Sequence, residues 1–157
     1  MRIKAIITVA FLTLTLLSTA QDYKTAVGFK VGAPTFGALN IKHFLGSTPA
    51  IDISLGGGSN HIWLQGLYEV NNPISDGFSW YYGGGADIGF WSRGVSYTYN
   101  EKNYSGAWAG IAGVAGIEYT FSEFPFNVAF EAVPTVRIFP YIGFGINGAL
   151  AIRFAIK

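Results

Sequence analysis

The stretch from Phe144 to Lys157 reads Phe-Gly-Ile-Asn-Gly-Ala-Leu-Ala-Ile-Arg-Phe-Ala-Ile-Lys. Its even-numbered residues are apolar apart from Gly148, whereas its odd-numbered residues are small or polar and include Arg153. A period of two residues is typical of a β-strand, because successive side chains point to opposite faces. One face of this strand could contact hydrocarbon and the other could not, which indicates a strand of a transmembrane β-barrel.

The composition supports this interpretation. Of the 157 residues, 50% are hydrophobic and only 12% are charged, against about 25% charged in an ordinary soluble domain. After residue 17 there is no apolar run of about 18 residues, which a transmembrane helix would need. The net charge of +1 gives no reason to expect a nucleic-acid partner. The absence of cysteine excludes disulfides and thiolate metal sites.

The first twenty residues have the pattern of a secretory signal peptide. Arg2 and Lys4 precede an apolar stretch over residues 5–17, and Ser18-Thr19-Ala20 offers a small-residue cleavage site. We therefore predict a signal peptide over residues 1–20 and a single barrel domain over residues 21–157.

The same alternation recurs in seven further segments, separated by turns rich in glycine, proline, serine and asparagine. The predicted strands are Tyr23–Gly32, Gly37–Leu45, Ala50–Gly57, His61–Val70, Phe78–Trp91, Ala107–Phe121, Phe126–Val136 and Phe144–Lys157. These features predict an all-β fold, an eight-stranded antiparallel up-and-down transmembrane β-barrel. An even strand number would place both termini in the periplasm and the longest connection, residues 92–106, on the extracellular side.

Nine charged residues in these strands, or at a strand end in the case of Arg137, fall on the polar face. They are Lys30, Lys42, Asp52, Glu69, Asp87, Glu118, Glu131, Arg137 and Arg153. A lipid-facing Lys or Arg costs about 2–4 kcal/mol near the bilayer midplane, and an eight-stranded barrel is just wide enough for side chains to fill. We predict a side-chain-filled lumen that is plugged by a structural network of ion pairs, joined by Asn40, Gln65, Asn127 and Asn147.

Aromatic residues cluster near the predicted strand ends, where aromatic girdles of membrane barrels lie. The periplasmic set is Tyr68, Trp80, Tyr82, Tyr119, Phe121, Phe126 and Phe154, and the extracellular set is Phe36, Phe90, Trp108, Tyr141 and Phe144. The long loop holds Tyr97, Tyr99 and Tyr104, which are candidate contacts for an unknown extracellular partner.

Four segments carry a resemblance to a known family: Gly66–Glu69, Trp80–Phe90, Gly113–Tyr119 and the last strand. From Tyr23 to Lys157 the chain resembles the small, porin-like outer-membrane barrels of the OmpA/OmpX type. The resemblance implies a monomer in the outer membrane of a Gram-negative bacterium, surrounded by membrane lipid and lipopolysaccharide. It also implies insertion by the outer-membrane assembly machinery, and it supplies no catalytic residue.

The leading prediction is a structural or surface-interaction barrel without enzymatic activity, cofactor or metal. Two alternatives are a narrow gated channel for ions or small solutes and a lipid A-modifying enzyme at the rim. The enzyme would use His61 and Ser59, but no acid is placed to orient the histidine. A third alternative is a soluble lipocalin-like barrel, whose apolar face would point inward.

Overall fold

The computed structural model describes residues 23–32, 35–92 and 96–156, so the predicted signal peptide lies outside the described part of the chain. The side chains of Thr35, Phe36 and Tyr97 also lie outside it. The strands are β1 (Thr25–Gly32), β2 (Thr35–Phe44), β3 (Pro49–Gly58), β4 (His61–Ser75), β5 (Phe78–Trp91), β6 (Tyr97–Tyr99), β7 (Lys102–Tyr104), β8 (Ala107–Thr120), β9 (Phe126–Phe139) and β10 (Gly143–Ile156). No helix within the described ranges is long and apolar enough to cross a membrane.

Eight of the described strands close into an antiparallel up-and-down barrel in the order β1-β2-β3-β4-β5-β8-β9-β10, and β10 pairs with β1. The predicted fold is thus confirmed as a closed eight-stranded barrel. We call the end that carries residues 23–25 and Ile156 the terminal end, and the opposite end, which carries residues 92–106, the loop end.

The register determines how far the strands are staggered. Successive partners lead from Ala26 through Lys42, Asp52, Leu67, Gly85, Ala112 and Thr135 to Gly145. Ala26 itself pairs with Ala155, so one circuit shifts the register by ten residues. A stagger of this kind tilts the strands, typically by about 35–45°, and leaves an interior that side chains can fill.

Most strand ends lie within three residues of their predicted positions, and two connections differ more from the sequence-based prediction. Residues 71–77 are predicted as a turn, but β4 continues to Ser75 and pairs with β5 as far as Phe78, with a register shift between Pro73 and Ser75. The long connection is also partly ordered as a hairpin, in which β6 pairs with β7 around Asn100 and Glu101, both at positive φ.

The two faces of the barrel wall differ sharply in chemistry. Large apolar side chains such as Phe29, Ile53 and Leu150 are exposed on the outer surface of the barrel. The buried polar and charged side chains point inward; they include Lys30, Lys42, Asp52, Glu69, Glu118, Glu131 and Arg153. The barrel thus reverses the distribution that is usual in a water-soluble domain.

Candidate functional site

Seven charged side chains meet in the half of the lumen near the terminal end, and we call this cluster the ionic core. Its members are Lys30, Lys42, Asp52, Glu69, Glu118, Glu131 and Arg153, and each is at most 5% exposed. Each strand of the barrel wall except β5 contributes one member, and β5 contributes Tyr81, whose hydroxyl donates to Glu131 Oε1 at 2.8 Å. The strand alternation places all of these groups on one axis, because every one of them has the inward phase.

Arg153 is the centre of the ionic core. Its Nη2 atom contacts Asp52 Oδ2 at 2.9 Å and Glu131 Oε1 at 3.1 Å. Its other nitrogens donate to the side-chain carbonyl oxygens of Asn40 and Asn127. The planar guanidinium offers five donors in a fixed geometry, so one side chain joins β2, β3, β9 and β10.

The two lysines complete the pairing. Lys30 Nζ lies 3.0 Å from Asp52 Oδ1 and 2.9 Å from Glu131 Oε2. Lys42 Nζ lies 3.0 Å from Glu69 Oε2 and 2.9 Å from Glu118 Oε2. Lys42 also donates to Asn71 Oδ1 at 2.7 Å and lies 4.1 Å from the centre of the Tyr81 ring. Removing one partner of such a buried ion pair lowers the free energy of unfolding by about 3–5 kcal/mol. These contacts therefore hold the lumen side chains in one arrangement.

The remaining two predicted charges, Asp87 and Arg137, lie apart from the ionic core, in the half of the lumen near the loop end. Arg137 rests on aromatic rings: its guanidinium carbon is 4.3 Å from the Trp108 ring centre and 5.7 Å from that of Trp91. Its Nη1 donates to Tyr141 Oη at 2.9 Å. We call Trp63, Trp91, Trp108, Arg137 and Tyr141 the aromatic cap. The predicted single network is therefore divided into two layers.

The hairpin of β6 and β7 folds onto the aromatic cap. The Tyr99 ring stacks on Tyr141, with centroids 4.2 Å apart and planes 13° apart, and the Tyr104 ring lies 4.9 Å from Tyr141. These two tyrosines are predicted as exposed contacts, but they are half-buried because they cover Tyr141. The side chain of Tyr97, the third predicted contact, lies outside the described part.

An apolar layer separates the two charged layers. It belongs to one packed cluster that includes Leu67, Ala112, Val114 and Val133. The inward residues of β8 show the order directly, because Trp108 lies near the loop end, Ala112 and Val114 follow, and Glu118 lies near the terminal end. A second apolar cluster, which contains Tyr23, Phe44 and Ala155, closes the ionic core toward the terminal end.

Glycines make room for the large side chains of the lumen. A Cβ on Gly116 would lie 2.5 Å from Tyr81 Cζ, and a Cβ on Gly89 would lie 2.3 Å from the Trp108 ring. Because such distances are below van der Waals contact, these two positions accept only glycine unless the neighbouring ring moves. Gly89 and Gly116 thus make room for the Trp108 and Tyr81 rings in the lumen.

Three buried carboxylates of the described lumen lie close enough together to be considered as a metal site. Asp52, Glu69 and Glu131 have oxygen atoms within 4.8 Å of one another, but those of Asp52 and Glu131 already contact Lys30, Arg153 and neighbouring donors. We therefore assign these carboxylates to ion pairing.

At the rim, no carboxylate of the described residues hydrogen-bonds His61, whose ring lies beside Gly58.

The sequence-based prediction missed some members of the lumen and misplaced others. Tyr23 and Asn71 are buried there, although they are predicted at a strand end and in a turn. Trp108 is predicted in the extracellular girdle but is buried in the aromatic cap. Trp108 lies an even number of residues from Glu118 on β8, so the alternation predicts that both side chains point inward. Of the predicted amides, Asn40 and Asn127 contact Arg153, whereas Asn147 donates to Thr135 at 3.5 Å.

Comparisons with protein-family models, with curated proteins and with solved structures found no match to this chain.

Proposed function

We propose that the chain is an integral outer-membrane β-barrel with a structural or surface-interaction role and a lumen closed to solute. The observation that carries the proposal is the exposed apolar surface. Large apolar side chains at least 36% exposed occur on every strand of the barrel wall, for example Phe29, Ile41, Ile53, Leu64, Ile88, Ile117, Phe130 and Ile152. Soluble monomers rarely expose a contiguous apolar patch larger than a few hundred Å², whereas a lipid-facing barrel requires such a belt.

The aromatic residues support the same assignment. At the terminal end, Trp80 stacks with Tyr82 at 5.5 Å, and Phe126 meets Phe154 edge to face at 5.9 Å. All four are exposed on the outer wall. Rings in this position suit the interface between hydrocarbon and headgroups. The terminal end would then be periplasmic and the loop end extracellular, as in other barrels with long outer loops.

The layered lumen supports a closed barrel over a channel. A conducting path would have to cross the ionic core, the apolar layer and the aromatic cap in turn. Because buried charged, apolar and aromatic side chains fill the described lumen in turn, we propose no gated conduction. We likewise propose no enzymatic activity, because the His61 imidazole lacks an orienting acid among the described residues.

The loop end is the candidate surface for an extracellular partner. The tip of the hairpin exposes Thr98, Asn100, Glu101, Lys102 and Asn103, whereas Tyr99 and Tyr104 are half-buried. The contact surface that we propose is therefore this polar tip, which the two tyrosines anchor on the barrel.

The lipid environment can be tested with two arginine substitutions on the outer face of β10. Leu150 lies in the middle of the strand and Ile156 is its last residue, and they are 39% and 48% exposed. In a bilayer, Leu150→Arg should destabilise the barrel by about 2–4 kcal/mol and Ile156→Arg by about 0–1 kcal/mol. The free energy of unfolding from lipid vesicles and heat-modifiable migration in a detergent gel measure this difference. Equal, small effects would contradict a lipid-facing surface.

A further inference from the structure

The ionic core does not balance its own charges. It contains four acidic side chains, Asp52, Glu69, Glu118 and Glu131, and three basic ones, Lys30, Lys42 and Arg153. With every group ionised, these described residues carry a net charge of −1 in a space closed by apolar clusters on both sides. An uncompensated buried charge is strongly destabilising, which favours a further positive charge inside the core.

The contacts show which oxygen lacks a positive partner. Asp52 Oδ1 accepts from Lys30, Asn40 and Ser54, and its Oδ2 accepts from Arg153. Glu131 Oε1 accepts from Tyr81 and Arg153, and its Oε2 contacts Lys30. Glu69 differs, because Lys42 reaches only its Oε2, and its fully buried Oε1 has no partner among the described residues.

The surroundings of Glu69 contain both like and opposite charges. The carboxylates of Asp52 and Glu131 and the cations Lys42 and Arg153 interact electrostatically with it, as do the phenols of Tyr23 and Tyr81. Of the other members of the ionic core, Lys30 contacts Asp52 and Glu131. Glu118 contacts Lys42 and Arg153. Oxygen atoms of Asp52, Glu69 and Glu131 lie within 4.8 Å of one another, and like charges this close disfavour the ionisation of all three carboxyls.

We propose that the ionic core binds one exchangeable proton, held on Glu69 Oε1 beside the carboxylates of Asp52 and Glu131. The proton comes from solvent, and its binding makes the core electrically neutral. A metal ion is a poorer occupant, because the oxygens of Asp52 and Glu131 are already taken by Lys30 and Arg153. The inference depends on the packing of the folded lumen and not on what surrounds the barrel, so it can fail independently of the membrane proposal.

Nuclear magnetic resonance of barrel labelled with ¹³C at the glutamate carboxyls tests the inference directly. At neutral pH the wild-type protein should show one protonated glutamate carboxyl. This signal should be lost in Glu69→Gln and retained in Asp87→Asn, a matched change of a lumen acid outside the ionic core. Ionised carboxyls throughout, a signal that persists in Glu69→Gln, or a stoichiometric metal ion that disappears in Glu69→Gln would each overturn the proposal.

The pH dependence of unfolding is a second readout that needs no labelling. The folded barrel would bind one proton that the unfolded chain releases at neutral pH, so its stability must fall as the pH rises. Loss of one proton raises the unfolding equilibrium constant by up to about tenfold per pH unit. The wild type should show this added dependence relative to Glu69→Gln from about pH 4, where a free glutamate ionises, up to the pH at which the folded Glu69 carboxyl loses its proton. Identical pH profiles of the two proteins would overturn the proposal even if the variant folds poorly.

Discussion

The contacts of Arg153, the fully buried centre of the ionic core, allow its contribution to the free energy of unfolding to be predicted. Replacing it with methionine, which has a similar length and no charge, removes the ion pairs to Asp52 and Glu131 and the hydrogen bonds to Asn40 and Asn127. Lys30 would then be the remaining cation on both carboxylates. Breaking a buried pair in this way costs about 3–5 kcal/mol, so we expect Arg153→Met to lower the free energy of unfolding by at least this amount.

The control for this prediction is Lys24→Met, which removes the same charge from an exposed position just before β1. Exposed substitutions usually change stability by less than about 0.5 kcal/mol. Arg153→Lys should give an intermediate loss, because an ammonium keeps the charge but cannot reproduce the fork of donors. Reversible urea unfolding, followed by tryptophan fluorescence, measures all three variants. If Arg153→Met were no less stable than Lys24→Met, the ionic core would not hold the barrel together.

Two further predictions concern the packing of the lumen and its closure. Gly116→Ala should lower the free energy of unfolding by about 1–3 kcal/mol, because its methyl group would lie 2.5 Å from Tyr81 Cζ and would disturb the Tyr81–Glu131 hydrogen bond. The control is Gly148→Ala, whose new methyl group has no atom within 4 Å. Equal effects of the two substitutions in unfolding experiments would refute the packing argument. Deleting residues 97–104 should uncover the aromatic cap but leave the barrel folded and closed, because the ionic core and the apolar layer are untouched. Planar-bilayer recordings measure this, and stable open steps in the deletion variant would contradict the closed lumen.

The alternation of side chains was sufficient to predict most of the barrel wall. Strand β5 runs from Phe78 to Trp91 as predicted, because its alternation is clear at both ends and glycine tolerates either face. The end of β4 was mispredicted because Asn71, Asn72 and Pro73 have the composition of a turn. In the barrel this segment stays paired with β5, and the register shift beside Pro73 accommodates a residue that cannot donate a backbone hydrogen bond.

The alternation predicts the face of a residue but not its height along the barrel axis. It therefore assigned Asp87 and Arg137 to the same face as the ionic core, yet it could not show that they lie apart from that core along the axis. Height depends on the stagger of the strands, which is a property of the closed barrel and not of any single strand. The contacts of Tyr99 and Tyr104 with Tyr141 could not be predicted from the sequence either, because they join residues from two separate loops.

The proposed contact between the outer face of this barrel and hydrocarbon can be measured directly. The chain contains no cysteine, so single cysteines can be introduced along β10 and labelled with a nitroxide without background. In lipid vesicles, labels at Ile146, Leu150 and Ile152 should collide with membrane-soluble oxygen and be protected from a water-soluble nickel complex. Collision with the nickel complex at these three positions, with oxygen showing no preference for them, would contradict the claim.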